Sequence, residues 1–360
     1  MKPSCLTLIS LAFFAQQTNA ERKPLTEVYH NDDFQITGVT VSKTGRIFVN
    51  FPRWSDHYLN AVVEVLPDGS SKPYPDETWN RWDLKPDTAG KAFVCVQSVV
   101  VDDADSLWVL DPAAPLMGPV INGGPKLVQI NLQTNQVSRV IPFGADVAHP
   151  KSYLNDVRFD TKRKVAYITD SGEGGIVVVD LARGHAYRML DGHPSVLAEH
   201  AVDIVINDKP VRDATGKPPM INSDGIALSS NSDYLYYQAL TGATLYRIKT
   251  SVLRDPSTQS GAAGAAVEKV AKTFPVDGLW IDAQERIYLS GLTQNAILRR
   301  SPDGKIETLA AEERIQWPDT FSQGPDGAIY FTTSHIHEGP RFNLGKSVRK
   351  MPYAVFKITP

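Results

Sequence analysis

Apolar and polar residues alternate along this chain in six similar segments. Each segment reads as a short apolar strand, a polar turn rich in Asp, Gly, Ser or Lys, and a second strand with aromatic or branched residues. The segments begin at Ile36, Val96, Leu154, Ser223, Val276 and Pro318. A unit this short cannot bury its own apolar faces, so its copies must pack on one another. We therefore predict an all-β fold, a six-bladed β-propeller.

The strands that follow each segment complete the predicted blades. A third strand follows every segment, and a fourth can be read in the first five, for example from His185 and from Ile306. The units recur every roughly 40 to 70 residues, and the excess over a four-strand blade is assigned to loops. The sixth unit has no fourth strand before Pro360. We predict that Leu25–His30 supplies it and closes the ring.

The first twenty residues have the pattern of a secretory signal peptide. An apolar run from Cys5 to Ala15 follows a single early lysine, and small residues lead up to Ala20. We predict a signal peptide over residues 1–20, a single propeller domain over residues 21–360, and a secreted or periplasmic location. The alternative is a disordered N-terminus. If the segment is removed, Cys95 is the one remaining cysteine, so no internal disulfide can form.

The amino-acid composition limits the kinds of molecule that this protein is expected to bind. The chain has 37 Lys and Arg against 40 Asp and Glu, a net charge of −3, which gives no basic footprint for nucleic acid. After residue 20 no stretch is long and apolar enough to span a membrane. We predict a monomer whose partner is a small-molecule ligand, with no nucleic-acid partner and no membrane span.

Several motifs resemble those of the Yellow / major royal jelly protein family, and they keep the family's order. They are LNDVRFD from Leu154, AYITDSGEGG from Ala166, DGIALS from Asp224, LYYQALTGATLY from Leu235 and QWPDT from Gln316. The C-terminal PRFNLGKSVRKMPYAVFKI resembles the bacterial members more than the insect ones. The resemblance implies a secreted six-bladed propeller with a ligand site in or above its central channel. Insect relatives include binders of small aromatic amines and proteins linked to dopachrome conversion, so the resemblance does not settle activity.

Six polar residues are predicted to form a ring at the channel mouth. The first strand of each blade lines the channel, and the residue at its start faces the mouth; these residues are Thr37, Gln97, Asn155, Asp224, Asp277 and Asp319. Three carboxylates close together raise one another's pKa or require a cation. We predict Asp277 and Asp319 as catalytic residues and the other four as ligand-binding residues. The alternative for Asp224 and Asp277, each followed by Gly, is a favoured turn residue at a strand start.

The same ring resembles, more remotely, the calcium-dependent lactonases of the gluconolactonase type. In that pattern a glutamate of blade 1, an asparagine of blade 3 and an aspartate of blade 4 hold the metal. Asn155 and Asp224 match two of these ligands, whereas Thr37 stands in place of the glutamate. We therefore predict no cofactor, or weak calcium binding by Asn155 and Asp224.

Further candidates lie in loops. His335 and His337 follow the second strand of blade 6, where they are predicted to touch a ligand at the channel mouth; the alternative is a polar end loop. Four aromatic residues either stack on an aromatic ligand or seal the blades: Trp54, Trp79, Trp82 and Tyr153.

Together these patterns favour a propeller that binds or converts a small, aromatic molecule in its channel. The leading hypothesis is a cofactor-free tautomerase or isomerase of the dopachrome-conversion type, which needs a base and hydrogen-bond donors for an enolate-like intermediate. Two alternatives stay open, a non-catalytic binding protein for small amines and a metal-dependent lactonase.

Overall fold

The chain forms a ring of six four-stranded antiparallel sheets, as the sequence predicts. The computed structural model describes residues 24–258 and 260–359. The predicted signal peptide, residues 1–20, lies outside the described residues. The first strands of neighbouring blades contact one another in the order 1-2-3-4-5-6-1, so they line a closed central channel. We call them the inner strands.

Blades 1 to 5 each use four consecutive strands, from the channel to the rim. Blade 1 contains Gly38–Val41, Ile47–Asn50, Val62–Val65 and Ser71–Pro73. Blade 2 contains Ser98–Val101, Ser106–Asp111, Lys126–Asn131 and Gln136–Pro142. Blade 3 contains Leu154–Asp160, Val165–Asp170, Ile176–Asp180 and His185–Met189. Blade 4 contains Ser223–Leu228, Tyr234–Ala239, Thr244–Lys249 and Glu268–Lys272. Blade 5 contains Val276–Ile281, Ile287–Gly291, Ala296–Arg300 and Ile306–Ala311.

Blade 6 joins strands from both ends of the described chain. Pro318–Gln323, Ile329–Thr333 and Tyr353–Ile358 are completed by Thr26–Asn31, which pairs antiparallel with Tyr353–Ile358. Tyr29 of this closing strand is 6% exposed and packs between blades 6 and 1, and its hydroxyl lies 3.1 Å from Ser71 Oγ of blade 1. The predicted closure by the N-terminal strand is confirmed.

Six of the eight hydrophobic clusters in the described residues lie between adjacent blades, one in each gap. Between blades 1 and 2, for example, Phe48 and Tyr74 face Phe93 and Val109. Each of these six clusters is formed by alternate residues of two sheets, as the period-two pattern predicts. The blades therefore depend on their neighbours for burial, which fixes the geometry of the channel that they surround.

Helices are few and lie in the connections. The α-helices are Glu77–Asn80, Thr250–Leu253 and Ser260–Ala265, and the 3₁₀ helices are Pro86–Lys91, Pro115–Met117, Pro194–Val196, Ile336–Glu338 and Pro340–Phe342. A small hairpin pairs Val205–Ile206 with Lys209–Pro210. The alanine-rich helix before Glu268 packs on the propeller, because Ala263 is fully buried against the core between blades 3 and 4. Among the described residues, no helix has the length and apolarity needed to cross a bilayer.

Candidate functional site

β-Bulges place the polar ring in the channel. In blades 3 to 6 the inner strand leaves register with its neighbour at one point, and the residues left out of the ladder include Asn155, Asp224, Asp277 and Asp319. A bulge bends the strand and re-aims a side chain. Blades 1 and 2 have regular pairing there. The predicted ring therefore contains two kinds of residue. The four from blades 3 to 6 lie within an inner strand, at its bulge, whereas the two from blades 1 and 2 precede theirs.

Small hydroxyl residues on the second strands support these bulges. The backbone N–H of Asp277 donates to Ser290 Oγ at 2.9 Å, and that of Thr320 donates to Thr332 Oγ1 at 3.1 Å. Thr169 Oγ1 in turn donates to the carbonyl oxygen of Asp224 at 2.7 Å. A Thr or Ser at the same place in three second strands is a sequence signal for the bulges that the repeat pattern alone does not give.

All six ring residues are buried, with exposures between 0 and 8%. Asp277 lies at the centre of the carboxyl cluster, and Asp224 and Asp319 each share a hydrogen bond with it. Burial raises the pKa of all three, to about 6 for Asp277 and well above the ordinary range for the other two. Burial therefore favours the protonated form of each of these carboxyl groups, and the charge of Asp277 further disfavours ionisation of Asp224 and Asp319.

Trp317 fixes the orientation of the central carboxylate. Its Nε1 donates to Asp277 Oδ2 at 2.6 Å, and this hydrogen bond opposes the effect of burial on the pKa of Asp277. The Trp317 side chain is fully buried and stacks on the ring of His337 at 5.9 Å. Trp317 is a site residue that the repeat alignment missed, because it precedes the inner strand of blade 6 and has no counterpart in the ring.

A cavity of about 220 Å³ opens above this cluster. Gln97, Asn155, Asp224 and Asp277 form its polar floor, whereas Thr37 and Asp319 are not among its lining residues. Its walls are supplied by loops of several blades and carry mostly apolar side chains; they include Trp54, Tyr153, Leu240, Ile336 and Phe342. The described structure thus brings four of the six predicted ring residues to a common surface.

A short hydrogen-bond chain orients Gln97. Trp54 Nε1 donates to the hydroxyl of Tyr153 at 2.6 Å, and that hydroxyl donates to Gln97 Oε1 at 2.9 Å. Because an indole N–H can only donate, the single proton of Tyr153 is left for the Gln97 oxygen. The Gln97 amide therefore turns its NH₂ group towards the cavity. Trp54 and Tyr153 both line the cavity and seal its wall, so both sequence-based alternatives for them remain compatible with the structure.

Asp170 holds the loop that carries Tyr153. Its carboxylate accepts hydrogen bonds from the backbone N–H groups of Tyr153 and Gly172 and forms an ion pair of 2.9 Å with Arg188. Both Asp170 and Arg188 are almost fully buried. The pair stabilises one side of the cavity without facing the cavity itself.

The two predicted loop histidines lie beside the cavity and not on it. His335 is 1% exposed, and its Nδ1 lies 2.7 Å from Glu338 Oε2. Burial lowers the pKa of His337 to about 4, so this ring is neutral around pH 7. Neither histidine is a lining residue of the channel cavity. Their role in ligand binding remains a prediction.

The ring shows little of the lactonase metal pattern. Thr37 Oγ1 donates to the carbonyl oxygen of Gln97 and accepts from the Asn50 amide, so its side chain supports the channel wall. Within residues 24–258 and 260–359, no three His, Cys, Asp or Glu side chains are grouped to hold a metal ion. Calcium binding by Asn155 and Asp224 stays a prediction.

Cys95 lies behind the wall of the channel cavity, where burial raises the pKa of its thiol to about 12.

A second cavity of about 600 Å³ adjoins the first. Trp54, Met117, Ile336, Arg341 and Phe342 line both cavities and so form a partition between them. The second cavity is otherwise lined mainly by the segment before blade 1, by a blade 1 loop and by the connection between the second and third strands of blade 6. Phe34, in the first of these, stacks on His57 at 4.8 Å.

Comparisons with known proteins agree with this architecture. The major royal jelly protein 1 of Apis mellifera is 26% identical over 233 residues, which cover 59% of this chain and 50% of that protein. The chain spans about half the length of the curated relatives that it matches. Two solved structures share the fold at low identity: the calcium-binding protein regucalcin from Agrobacterium tumefaciens (TM-score 0.57, 12% identity, 94% of each chain) and a gluconolactonase from Xanthomonas campestris (TM-score 0.55, 11% identity, 94% of this chain and 90% of that one).

The match to the family itself covers most of the propeller. Residues 94–330 match the family described as Major royal jelly protein, and this range contains five of the six ring residues and the whole carboxyl cluster. The chain belongs to the major royal jelly protein family.

Proposed function

We propose that the protein is a cofactor-free isomerase that moves a proton within a small aromatic or quinone-like molecule bound in the channel cavity. One observation carries the proposal: the buried carboxyl groups of Asp224 and Asp277 lie together on the cavity floor, where the charge of one disfavours ionisation of the other. The proposed resting state therefore has one ionised and one protonated acid. Burial raises the pKa of Asp277 to about 6 and that of its neighbour Asp224 well above the ordinary range. Two acids in opposite protonation states are what a proton transfer between two substrate atoms requires.

In this mechanism each floor residue has a separate task. The Asp277 carboxylate takes a proton from carbon next to a carbonyl group, and the electron pair moves on to the carbonyl oxygen. The NH₂ groups of Gln97 and Asn155 donate hydrogen bonds to that oxygen. Asp224 then gives its proton to the second substrate atom, and transfer from Asp277 through the shared hydrogen bond restores the starting state. Asp319, the second acid beside Asp277, does not line the cavity and takes no direct part in the transfer.

The test uses L-dopachrome as probe, because the family resemblance points to dopachrome conversion. Loss of its visible absorbance is followed with the full chain at several pH values. We expect turnover that rises with pH through about 6, as Asp277 ionises. Asp277→Asn and Asp224→Asn should each lower kcat/KM at least tenfold, about 1.4 kcal/mol. Asp87→Asn is the control, since Asp87 is exposed and far from the cavity lining.

The other outcomes separate the alternatives. Equal turnover in all variants would place the reaction outside the channel. A ligand-induced rise in melting temperature without turnover would support a non-catalytic binding protein. Hydrolysis of a sugar lactone that requires calcium and is lost with a chelator would support the lactonase.

We also propose that the protein is exported. The support is the apolar run and small residues within residues 1–20, which lie outside the described structure. Detection of a mature N-terminus near residue 21 in the extracellular or periplasmic fraction would test this.

A further inference from the structure

Two cations lie at the open end of the channel cavity. Lys151 and Arg341 both line it, and both are exposed. Neither forms an ion pair with a carboxylate in the described part of the chain. Arg341 Nη1 donates to Met117 Sδ at 2.8 Å, and its guanidinium lies 5.4 Å from the centre of the Phe342 ring. The charged groups of these two side chains therefore have no carboxylate partner among the described residues and, apart from Arg341 Nη1, can meet a ligand.

The charge along the cavity is asymmetric. The acidic residues that line it are Asp224 and Asp277, which are 4% and 5% exposed and therefore lie at its buried end. No acidic side chain among the lining residues balances Lys151 and Arg341 at the open end. A molecule in this cavity would meet proton-exchanging acids at one end and two positive charges at the other.

The walls between these ends suit a flat ring. Trp54, Trp317 and Phe342 offer aromatic surface, and Met117 and Met220 offer flexible apolar contacts at the mouth. A cavity of about 150 Å³ is enough for benzene. The 220 Å³ here accommodates one substituted ring or two fused rings.

We propose that the ligand of this cavity is a one- or two-ring aromatic carboxylate, oriented with its carboxylate towards solvent and bound there by Arg341 and Lys151. The inference rests on the proposed function for the reaction at the buried end, but the preference for a carboxylate follows from the mouth alone. An arginine fork matches a carboxylate in two parallel hydrogen bonds, and the partly enclosed mouth reduces screening by water.

The test compares two unreactive probes of equal shape, indole-2-carboxylate and indole-2-carboxamide. Their affinities for the full chain are measured by calorimetry and by quenching of tryptophan fluorescence. We expect the carboxylate to bind at least fivefold more tightly, and the difference to shrink with added salt. The double variant Arg341→Gln/Lys151→Gln should abolish the difference between the two probes.

Two control variants locate the effect. Lys346 is an exposed cation in the same loop as Arg341, and its side chain lines neither cavity. Lys346→Gln should therefore keep the preference for the carboxylate probe. Arg349→Gln removes a cation that lines the second cavity only, and it should also keep the preference. Loss of the preference in Arg349→Gln would show that the carboxylate binds in the second cavity and would overturn the proposal.

The remaining outcomes are equally decisive. Three results would each overturn the proposed carboxylate site: equal affinity for the two probes, no binding of either probe, or a carboxylate preference that survives in the double variant. Melting curves of the variants confirm folding, which the exposure of both cations favours. If the carboxylate preference holds but Asp277→Asn leaves dopachrome turnover unchanged, the proposed isomerase fails while the assignment of the mouth stands.

Discussion

At the scale of single residues, the main observation is that three chemically identical carboxyl groups are made different by their surroundings. Burial raises the pKa of Asp224, Asp277 and Asp319 alike. Only Asp277 accepts from an indole N–H, and it lies between the other two acids, within hydrogen-bond reach of both. Identical side chains thus differ in their hydrogen bonds and in their access to the cavity.

The indole of Trp317 gives a test of this description. Trp317→Phe removes the 2.6 Å hydrogen bond and keeps a ring against His337. Because the bond favours the ionised form, its loss should raise the pKa of Asp277. The pH of half-maximal turnover should therefore move upward from about 6 by roughly one unit, with the rate recovered at higher pH.

Trp79→Phe is the matched control, since Trp79 packs against Phe93 and does not line the channel cavity. It should leave the pH profile in place. An unchanged profile in Trp317→Phe would mean that the hydrogen bond does not set the ionisation of Asp277.

The sequence predicts which residues form the ring but not the role of each. Equivalent positions in the repeats were enough to bring together Asn155, Asp224 and Asp277, because the blades are related by rotation about one axis. Which member reaches the cavity depends on the register of each inner strand, which the repeat pattern does not encode. Arg341 and Trp317 were missed because loops of irregular length place them.

At the scale of elements, the bulges explain why glycine follows two of the acids. A Cβ at Gly278 would lie 1.9 Å from the carbonyl oxygen of Asp319, and one at Gly225 would lie 2.4 Å from that of Asp277. Neighbouring inner strands therefore approach backbone to backbone. Asp224 and Asp277 stand inside strands, so the interpretation of these Asp-Gly pairs as turns was wrong.

Gly278→Ala should consequently cost about 2 kcal/mol or more in the free energy of unfolding, because the inner strands of blades 5 and 6 must move apart. Gly261→Ala is the control: it lies in the helix Ser260–Ala265, and a Cβ there would meet no atom within 4 Å. That change should be neutral or stabilising by up to about 1 kcal/mol. Urea unfolding of both variants checks the pair, and equal effects would contradict the close approach.

At the scale of the whole molecule, the architecture follows from the sequence because it depends on periodicity. Alternation with period two, six times over, permits few other folds, and the missing fourth strand of blade 6 identified the closing strand. The end-face loops were not predictable in the same way. Their positions result from individual contacts such as the pair of Asp170 with Arg188, for which the sequence has no periodic signal.

The carboxyl cluster should also shape how the stability of the whole molecule varies with pH. The folded-state pKa of Asp319 lies above its unfolded value, so the folded state binds more protons than the unfolded state once the pH exceeds about 4. Its contribution is fully favourable below that pH and is lost as the pH rises towards the folded value.

Asp319→Asn removes the loss of stability that Asp319 causes as the pH rises. The melting temperature of the variant relative to the native protein should therefore increase from pH 4.5 to pH 8, measured by calorimetry. Asp87→Asn, an exposed substitution, should show no such trend. A constant difference for Asp319→Asn would show that Asp319 is ionised equally in both states.

The closing strand has a consequence for biosynthesis. Thr26–Asn31 leaves the ribosome early, whereas its partner Tyr353–Ile358 is made more than three hundred residues later, as the pairing of Thr26 with Lys357 shows. During that interval a strand with free backbone groups has no partner, and such edges invite association with other chains. Sequence-distant pairing of this kind also slows folding. Ring closure is thus a late event in the life of each nascent molecule, and a chaperone that holds the early strand would act on the step that completes the channel.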